Sequence, residues 1–416
     1  GGLHTCAVLD TGAVKCWGWG DRGQLGLGDR RNRGVDPAEM GDALPAVDLG
    51  TGRTAVAVSA GGLHTCAVLD TGAVKCWGWG DRGQLGLGDR RNRGVDPAEM
   101  GDALPAVDLG TGRTAVAVSA GGLHTCAVLD TGAVKCWGEA DHGKLGLGDT
   151  KNRGGQPNEM GDALPAVDLG TGRTAVAVAA GGMHTCALLD TGAVKCWGDG
   201  TYGPLGFADQ ENRGDNPNEM GDALPPVDLG PGRTAVAVSA GASHSCALLD
   251  TGAVKCWGAD WHGARGLGAP TKRDGEPAQI GDAFPAVDLG PGRTAVAVSA
   301  GQGYTCAVLD TGAVKCWGAG FYGALGLGDI NHRGNDPTEM GDALPAVDLG
   351  AGRTAVAVSA SEEHTCALLA TGAIKCWGRG NRGQLGLGDQ RDRGDEPNEM
   401  GDALPAVDLG GRVEGR

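Results

Sequence analysis

The chain repeats itself every sixty residues, and this period constrains the fold more than any other feature. The sequence restarts at residues 1, 61, 121, 181, 241, 301 and 361, giving blocks 1–60, 61–120, 121–180, 181–240, 241–300, 301–360 and 361–416. Residues 61–120 copy residues 1–60 at all sixty positions. A repeat of this kind is one supersecondary unit that must bury its apolar face against a neighbouring copy. A single domain of 416 residues is therefore expected only if the units close into one body. The 80 glycines follow the sixty-residue period, not a three-residue one, which excludes a collagen-like rod. Apolar residues, 41% of the chain, recur at fixed positions in every block, which argues against disorder.

Within a block the strongest local signal is a hairpin. His4 to Leu9 and Ala13 to Trp17 are short strand-like runs separated by Asp10-Thr11-Gly12. Asp and Thr suit a type I turn, and Gly12 suits the left-handed position that follows it. In that register Leu9 faces Ala13, and every pair keeps its residue numbers summing to 22, including Cys6 with Cys16. Thr54 to Ala60 alternates Val with Ala or Ser and reads as a strand pressed between neighbours. Pro45-Ala46-Val47-Asp48-Leu49 reads as a fourth, edge-like strand with its proline at the start. Four short antiparallel strands at a sixty-residue period point to an all-β chain, a single seven-bladed β-propeller spanning residues 1–416. A solenoid would need atypical polar caps, and neither end shows one.

The segment AVAVSAGGLHTCAVLDTGAVKCWGWGDRGQLGLGD resembles the repeat of the regulator of chromosome condensation family. That pattern joins a small-residue strand ending in Gly, a His, a hydrophobic hairpin, Trp-Gly, and a Gly-Gln-Leu-Gly turn. It recurs in all seven blocks, and the resemblance implies a seven-bladed propeller. The cysteine pair and the NRG…EMGDALPAVDLG tail resemble bacterial, secreted members more than the eukaryotic nuclear ones. Nuclear members act as nucleotide-exchange factors through an inserted wedge and bind chromatin through a basic tail. This sequence shows neither feature, so exchange activity is not carried over.

The fourteen cysteines fall two per block. The pairs are Cys6 with Cys16, Cys66 with Cys76, Cys126 with Cys136, Cys186 with Cys196, Cys246 with Cys256, Cys306 with Cys316, and Cys366 with Cys376. The hairpin register puts each pair directly opposite, within disulfide reach. Seven intra-blade disulfides are the reading we adopt, and they imply an oxidising site: periplasm, cell surface or medium. Two other readings stay open at this point. The pairs could be buried thiols, or His4, Cys6 and Cys16 could bind zinc, although three ligands fall one short of a structural site.

Differences between blocks concentrate at block positions 19 to 22, with lesser variation at 30 to 32, 35 to 36 and 2 to 3. Candidate partner-binding residues there are Trp19, Arg22, Trp79, Arg82, His142, Tyr202, Trp261, His262, Phe321, Tyr322 and Arg382. Equivalent loops of a closed propeller form a ring on one face, and aromatics with arginine are the composition of an interaction surface. Drift alone would leave mostly small polar residues.

The uniform polar residues read as structural. His4 recurs as His64, His124, His184, His244 and His364, with Tyr304 in the sixth block, which suits a repeated hydrogen bond and not one catalytic base. Arg33, Glu39, Asp42 and Arg53 are expected to form ion pairs pinning the long connection. Asp29, Asp36 and Asp42 are acidic, but no Asp-x-Asp-x-Asp-Gly calcium loop is present.

A formal net charge of −16 opposes a phosphate backbone, so nucleic acid is not an expected partner. No apolar run approaches the length of a membrane span. No Gly-x-Ser-x-Gly, His-Glu-x-x-His or phosphate loop breaks the repeat symmetry, so no enzyme, metal or cofactor is expected. The expected role is a secreted or surface-exposed binding propeller with a protein ligand. The alternative is a structural or carbohydrate-binding module of a larger exported protein. Six blocks end in the Thr-Ala-Val-Ala-Val-Ser-Ala strand and the seventh does not, so the ring is expected to lack one strand unless Val413-Glu414 partly fills it.

Overall fold

A computed structural model describes residues 1–268 and 285–410. The first block forms β1 (His4–Val8) and β2 (Val14–Gly18), which pair antiparallel with Cys6 opposite Cys16 and His4 opposite Gly18. From the second block onward three strands stack in order: β3 (Ala55–Ala60), β4 (His64–Leu69) and β5 (Val74–Gly78). The same three-stranded sheet recurs in blocks three to seven, so seven sheets form the blades. The hairpin turn is the expected one. Leu9 N–H donates to Ala13 O at 2.8 Å, and Gly12 sits at φ 76°, where a side chain would collide with Thr54.

The predicted cysteine register holds in every blade. Cys66 lies opposite Cys76, Cys126 opposite Cys136, Cys186 opposite Cys196, Cys246 opposite Cys256, Cys306 opposite Cys316, and Cys366 opposite Cys376.

Two details differ from the sequence expectation. Residues 45–49 are not a fourth strand. They make one ladder bond, Val47 N–H to Val14 O at 2.7 Å, and bury Val47 and Leu49. The Asp48 carboxylate then accepts from Gly50 N–H at 2.9 Å, which turns the chain away before pairing extends. A two-way bridge between Gly18 and Arg33 takes the outer edge instead. The first blade has two strands among the described residues, as the repeat count implied. Val413 and Glu414 lie outside the described residues.

The core sits between blades. Val14 and Cys16 of the first blade pack with Leu25, Val47 and Leu49 against Ala67, Leu69 and Trp77 of the second. Seven tryptophans at the same block position are essentially excluded from solvent. Each indole N–H crosses to the preceding blade, Trp77 to Gln24 O at 3.0 Å and Trp17 to Gln384 O at 3.0 Å, so the seventh blade meets the first as the others meet their neighbours.

A second stitch runs parallel to it. The Nε2 atoms of His4, His64, His124, His184, His244 and His364 lie 2.8–2.9 Å from the hydroxyls of Thr65, Thr125, Thr185, Ser245, Thr305 and Thr5. Each hydroxyl spends its only proton on a carbonyl, as Thr65 does on Gln24 O at 2.9 Å. The histidine must therefore donate from Nε2–H, and the ring is neutral. Burial holds His64, His184 and His364 at about 3, His244 at about 4, and His4 and His124 far below their ordinary value. Tyr304 replaces histidine in block six. Its hydroxyl donates to His364 O at 2.6 Å and takes the seventh junction to Thr365.

The expected ion pairs are only partly present. Arg33 pairs with Asp29 at 2.6 Å, and Arg53 with Asp70 at 3.2 Å. Glu39 instead accepts from Val35 and Asp36 N–H, closing a capping box at a single turn. The second-block counterpart of Asp42, Asp102, accepts from the backbone and hydroxyl of Thr51. A carboxylate next to free backbone N–H groups accepts from them with little loss of side-chain freedom, whereas an exposed ion pair contributes only about 0–1 kcal/mol.

The residue that does pin the connection was not singled out in sequence. Lys75 Nζ donates to Leu49 O at 3.0 Å and Gly101 O at 2.8 Å, and desolvation lowers its pKa. Lys15, Lys135, Lys195, Lys315 and Lys375 each donate to the equivalent pair of carbonyls. Replacing Lys75 with Met keeps the aliphatic packing and strands two carbonyls. The expected loss is about 2–3 kcal/mol of unfolding free energy in denaturant titration.

Candidate partner-binding face

Among the described residues, six outer strands end at a glycine whose amide is locked to Arg33 or its counterpart, and the chain then turns through block positions 19 to 22. The turn is pressed against positions 30 to 32. Gly20 N–H donates to Asn32 Oδ1 at 3.2 Å, Arg30 Nη1 donates to Asp21 O at 3.1 Å, and a side chain at Gly20 would strike Arg31 O. In the blades whose loops are described in full, the two varied segments thus form one surface unit each, displayed on the same face around the ring.

From the fourth blade to the first, these units touch their neighbours. Tyr202 stands edge-on to Trp261 with centroids 5.0 Å apart. His262 meets Phe321 at 5.1 Å and His332 at 4.0 Å. The Arg379 guanidinium lies 4.6 Å over Tyr322, and that of Arg382 lies 5.9 Å from the Trp19 ring. The run is uncovered: Phe321 is 49% exposed, and Tyr202, Trp261 and Tyr322 are 37–38% exposed, whereas the seven scaffold tryptophans are buried. Sequence reasoning placed His262, Phe321 and Tyr322 in the site but missed His332 and Arg379. His332 stands where the first four blocks have asparagine, and Arg379 stands where block one has Trp19.

The other candidates lie outside this run. Trp79 is half-buried, Arg22 and Arg82 are exposed, and His142 is half-buried with Nδ1 3.3 Å from Asn212 Nδ2. His142, His262 and Tyr322 hold left-handed backbone at φ 57–60°, which costs a non-glycine residue about 1–2 kcal/mol.

Three of the charge changes in these loops are compensated. Glu139 appears together with Lys144, paired at 2.5 Å and both buried, where block one has Trp19 and Gln24. Asp260 pairs with Arg265 at 3.0 Å, and Arg379 pairs with Glu363. These three blades are each repacked around their own loop, because a lone buried charge would be expelled.

The cysteines lie away from this face, inside the blades, and all seven pairs are bonded. The bonds are Cys6 to Cys16, Cys66 to Cys76, Cys126 to Cys136, Cys186 to Cys196, Cys246 to Cys256, Cys306 to Cys316, and Cys366 to Cys376. No cysteine is left free, which removes both the thiol and the zinc readings. The six interior histidines are committed as hydrogen-bond donors.

A family model described as RCC1-like domain matches residues 42–413, and one described as regulator of chromosome condensation (RCC1) repeat matches residues 11–68. The chain belongs to the RCC1-like domain family. Among RCC1-like relatives, the ultraviolet-B receptor UVR8 of Arabidopsis thaliana is 31% identical over 397 residues, covering 94% of this chain and 79% of the relative. The human E3 ubiquitin-protein ligase HERC2 is 28% identical over 92% of this chain, which corresponds to 7% of that protein. Yeast RCC1 (Prp20), solved bound to Kap60, superposes with a TM-score of 0.69 at 20% identity, covering 96% of this chain and 84% of that one. Human WBSCR16 superposes with a TM-score of 0.65 at 18% identity, covering 94% and 92%. The RCC1-like fold is therefore shared with proteins of unrelated cellular roles. Among the described residues no helix is long and apolar enough to cross a membrane.

Proposed function

We propose that this RCC1-like propeller is a non-enzymatic binding module that grips a protein partner with the loop face. The observation that carries the reading is the unbroken run Tyr202–Trp261–His262–Phe321, joined through Tyr322 to Arg379. Rings of this kind, exposed and held by their neighbours, lose little side-chain entropy when they are covered. The left-handed residues support it, since strained backbone is retained where it presents a side chain. Yeast RCC1 (Prp20) has been solved with Kap60 on it, and a second structure of that protein concerns its binding to Gsp1p and histones. Those partners are not carried over. Exchange on a GTPase is not part of the proposal, because the seven blocks differ by substitution and not by insertion. Seven disulfides support a protein that works in an oxidising compartment, exported or at the cell surface.

The test is a variant carrying Trp261→Ala, Phe321→Ala and Tyr322→Ala. Tyr322→Gly serves as a companion that removes the ring and relaxes φ 57°. Partner captured from the native milieu should fall at least about tenfold with both, while melting of the triple variant stays near that of the parent. Undiminished capture by both variants would overturn the proposal.

A further inference from the structure

The loop face is divided electrostatically. On the seventh, first and second blades, Arg22, Arg30, Arg91, Arg382 and Arg391 all project into solvent. Among the described residues Arg30, Arg91, Arg382 and Arg391 have no carboxylate within ion-pair distance. The nearby acids are already committed. Asp29 pairs with Arg31 and Arg33, Asp89 with Arg93, and Asp389 with Arg393 at 2.6–2.9 Å. On the third and fourth blades the positions of Arg22 and Arg30 carry His142, Thr150, Tyr202 and Gln210, and Glu211 stands where block one has Arg31. A chain of net charge −16 thus keeps an arc of surplus guanidinium groups on one side of one face. That arc meets the aromatic run where Arg379 covers Tyr322 and Arg382 approaches Trp19.

We infer that the partner presents an acidic polypeptide segment to this face, with carboxylates on the arginine arc and aromatic or aliphatic side chains on the rings of blades four to six. The inference rests on the reading that the loop face binds a protein. Arginine suits carboxylates because its planar fork donates two parallel hydrogen bonds, and a ring beside it adds a stacking surface. A polypeptide fits better than a dense polyanion. Asp21, Asp81 and Asp89 interrupt the arc, and within the Debye length of about 8 Å these carboxylates repel a chain that carries a charge at every unit, whereas a polypeptide can place its carboxylates on the arginines alone.

Fluorescein-labelled poly-L-glutamate and a random glutamate–tyrosine copolymer of matched length serve as probes, read by anisotropy on the full, oxidised chain. The copolymer should bind about tenfold more tightly than polyglutamate, and both affinities should fall with added salt. Charge reversal by Arg91→Glu, Arg382→Glu and Arg391→Glu should weaken both probes at least about tenfold. Trp261→Ala with Phe321→Ala should weaken the copolymer alone. The inference is overturned if neither probe binds, if charge reversal changes nothing, or if heparin or single-stranded DNA competes as well per charge as the copolymer. The two levels separate cleanly. Loss of copolymer binding in the aromatic variant but not in the charge-reversed one removes the acidic partner and leaves the loop face as the binding surface. If neither variant affects the copolymer or the natively captured partner, both readings fall.

Discussion

Lowering the pH from 7 to 5 should unfold this protein cooperatively. Six histidines are buried, neutral and committed as Nε2–H donors between blades. In the unfolded chain each titrates near 6.5, whereas in the folded chain His64, His184 and His364 wait until about 3 and His244 until about 4. The folded values are depressed, so the unfolded state binds more protons throughout this window. Stability is fully present above about pH 6.5 and drains away as pH falls toward 4. Six sites at about 1.4 kcal/mol per pH unit set a limit of about 8 kcal/mol per unit, comparable to the whole stability of a domain.

Three carboxyls act in the opposite direction. Burial and Glu399 raise Asp395 to about 6, burial and Glu219 raise Asp215, and burial raises Glu362. They take up protons in the folded state and offset part of the loss, so a slope of about 4–8 kcal/mol per unit is expected from denaturant titrations at pH 6.5, 6.0 and 5.5. A slope near zero across that range would mean that the histidines are not buried donors. His64→Gln should reduce the slope by about one proton. Tyr304→His should add one, because the phenol, raised to about 12, contributes nothing there.

The second large effect is reductive. Each disulfide closes a ten-residue separation, worth up to about 2.5–3 kcal/mol by chain entropy and less where the Asp-Thr-Gly turn already biases the hairpin. Even at half that value, seven sum to roughly 10 kcal/mol, the scale of total stability. Chain unfolded in denaturant and excess dithiothreitol should therefore fail to recover its native far-ultraviolet circular dichroism on dilution into reductant. The same chain diluted into an oxidising glutathione buffer should recover it. Native protein should resist the reductant, because the cysteines are fully occluded except for Cys366, which is 9% exposed, and the half-buried Cys6. Denatured, unreduced protein should titrate no thiols, and fourteen would contradict both the bonds and the oxidising compartment.

Much of this was legible before any coordinates. The hairpin register follows from the Asp-Thr-Gly turn, and once Leu9 faces Ala13 the pairing of Cys6 with Cys16 is arithmetic. The seven-fold architecture follows from the period. What sequence could not reveal were roles carried by backbone atoms. Gln24 accepts Trp77 and Thr65 with its carbonyl, so the same role passes to Lys144, Pro204, Ala264 and Ala324 with no side-chain signature. Lys75 was hidden because a lysine between apolar strand residues looks like a solvent-facing position. Residues 45–49 alternate like a strand yet make one ladder bond, because the Asp48 side chain competes for the backbone. Within the site, residue type located the loops, but which rings touch depends on how neighbouring blades meet. That is why His332 and Arg379 escaped notice.

The most direct test of the binding face is hydrogen–deuterium exchange on the protein with and without its captured partner. Protection should concentrate in residues 259–263, 319–323 and 379–383, across the blades where the aromatic run and the arginine arc meet. Protection confined to the opposite rim, at residues 50–53, 110–113 and 170–173, with the loop face exchanging as in the free protein, would contradict it.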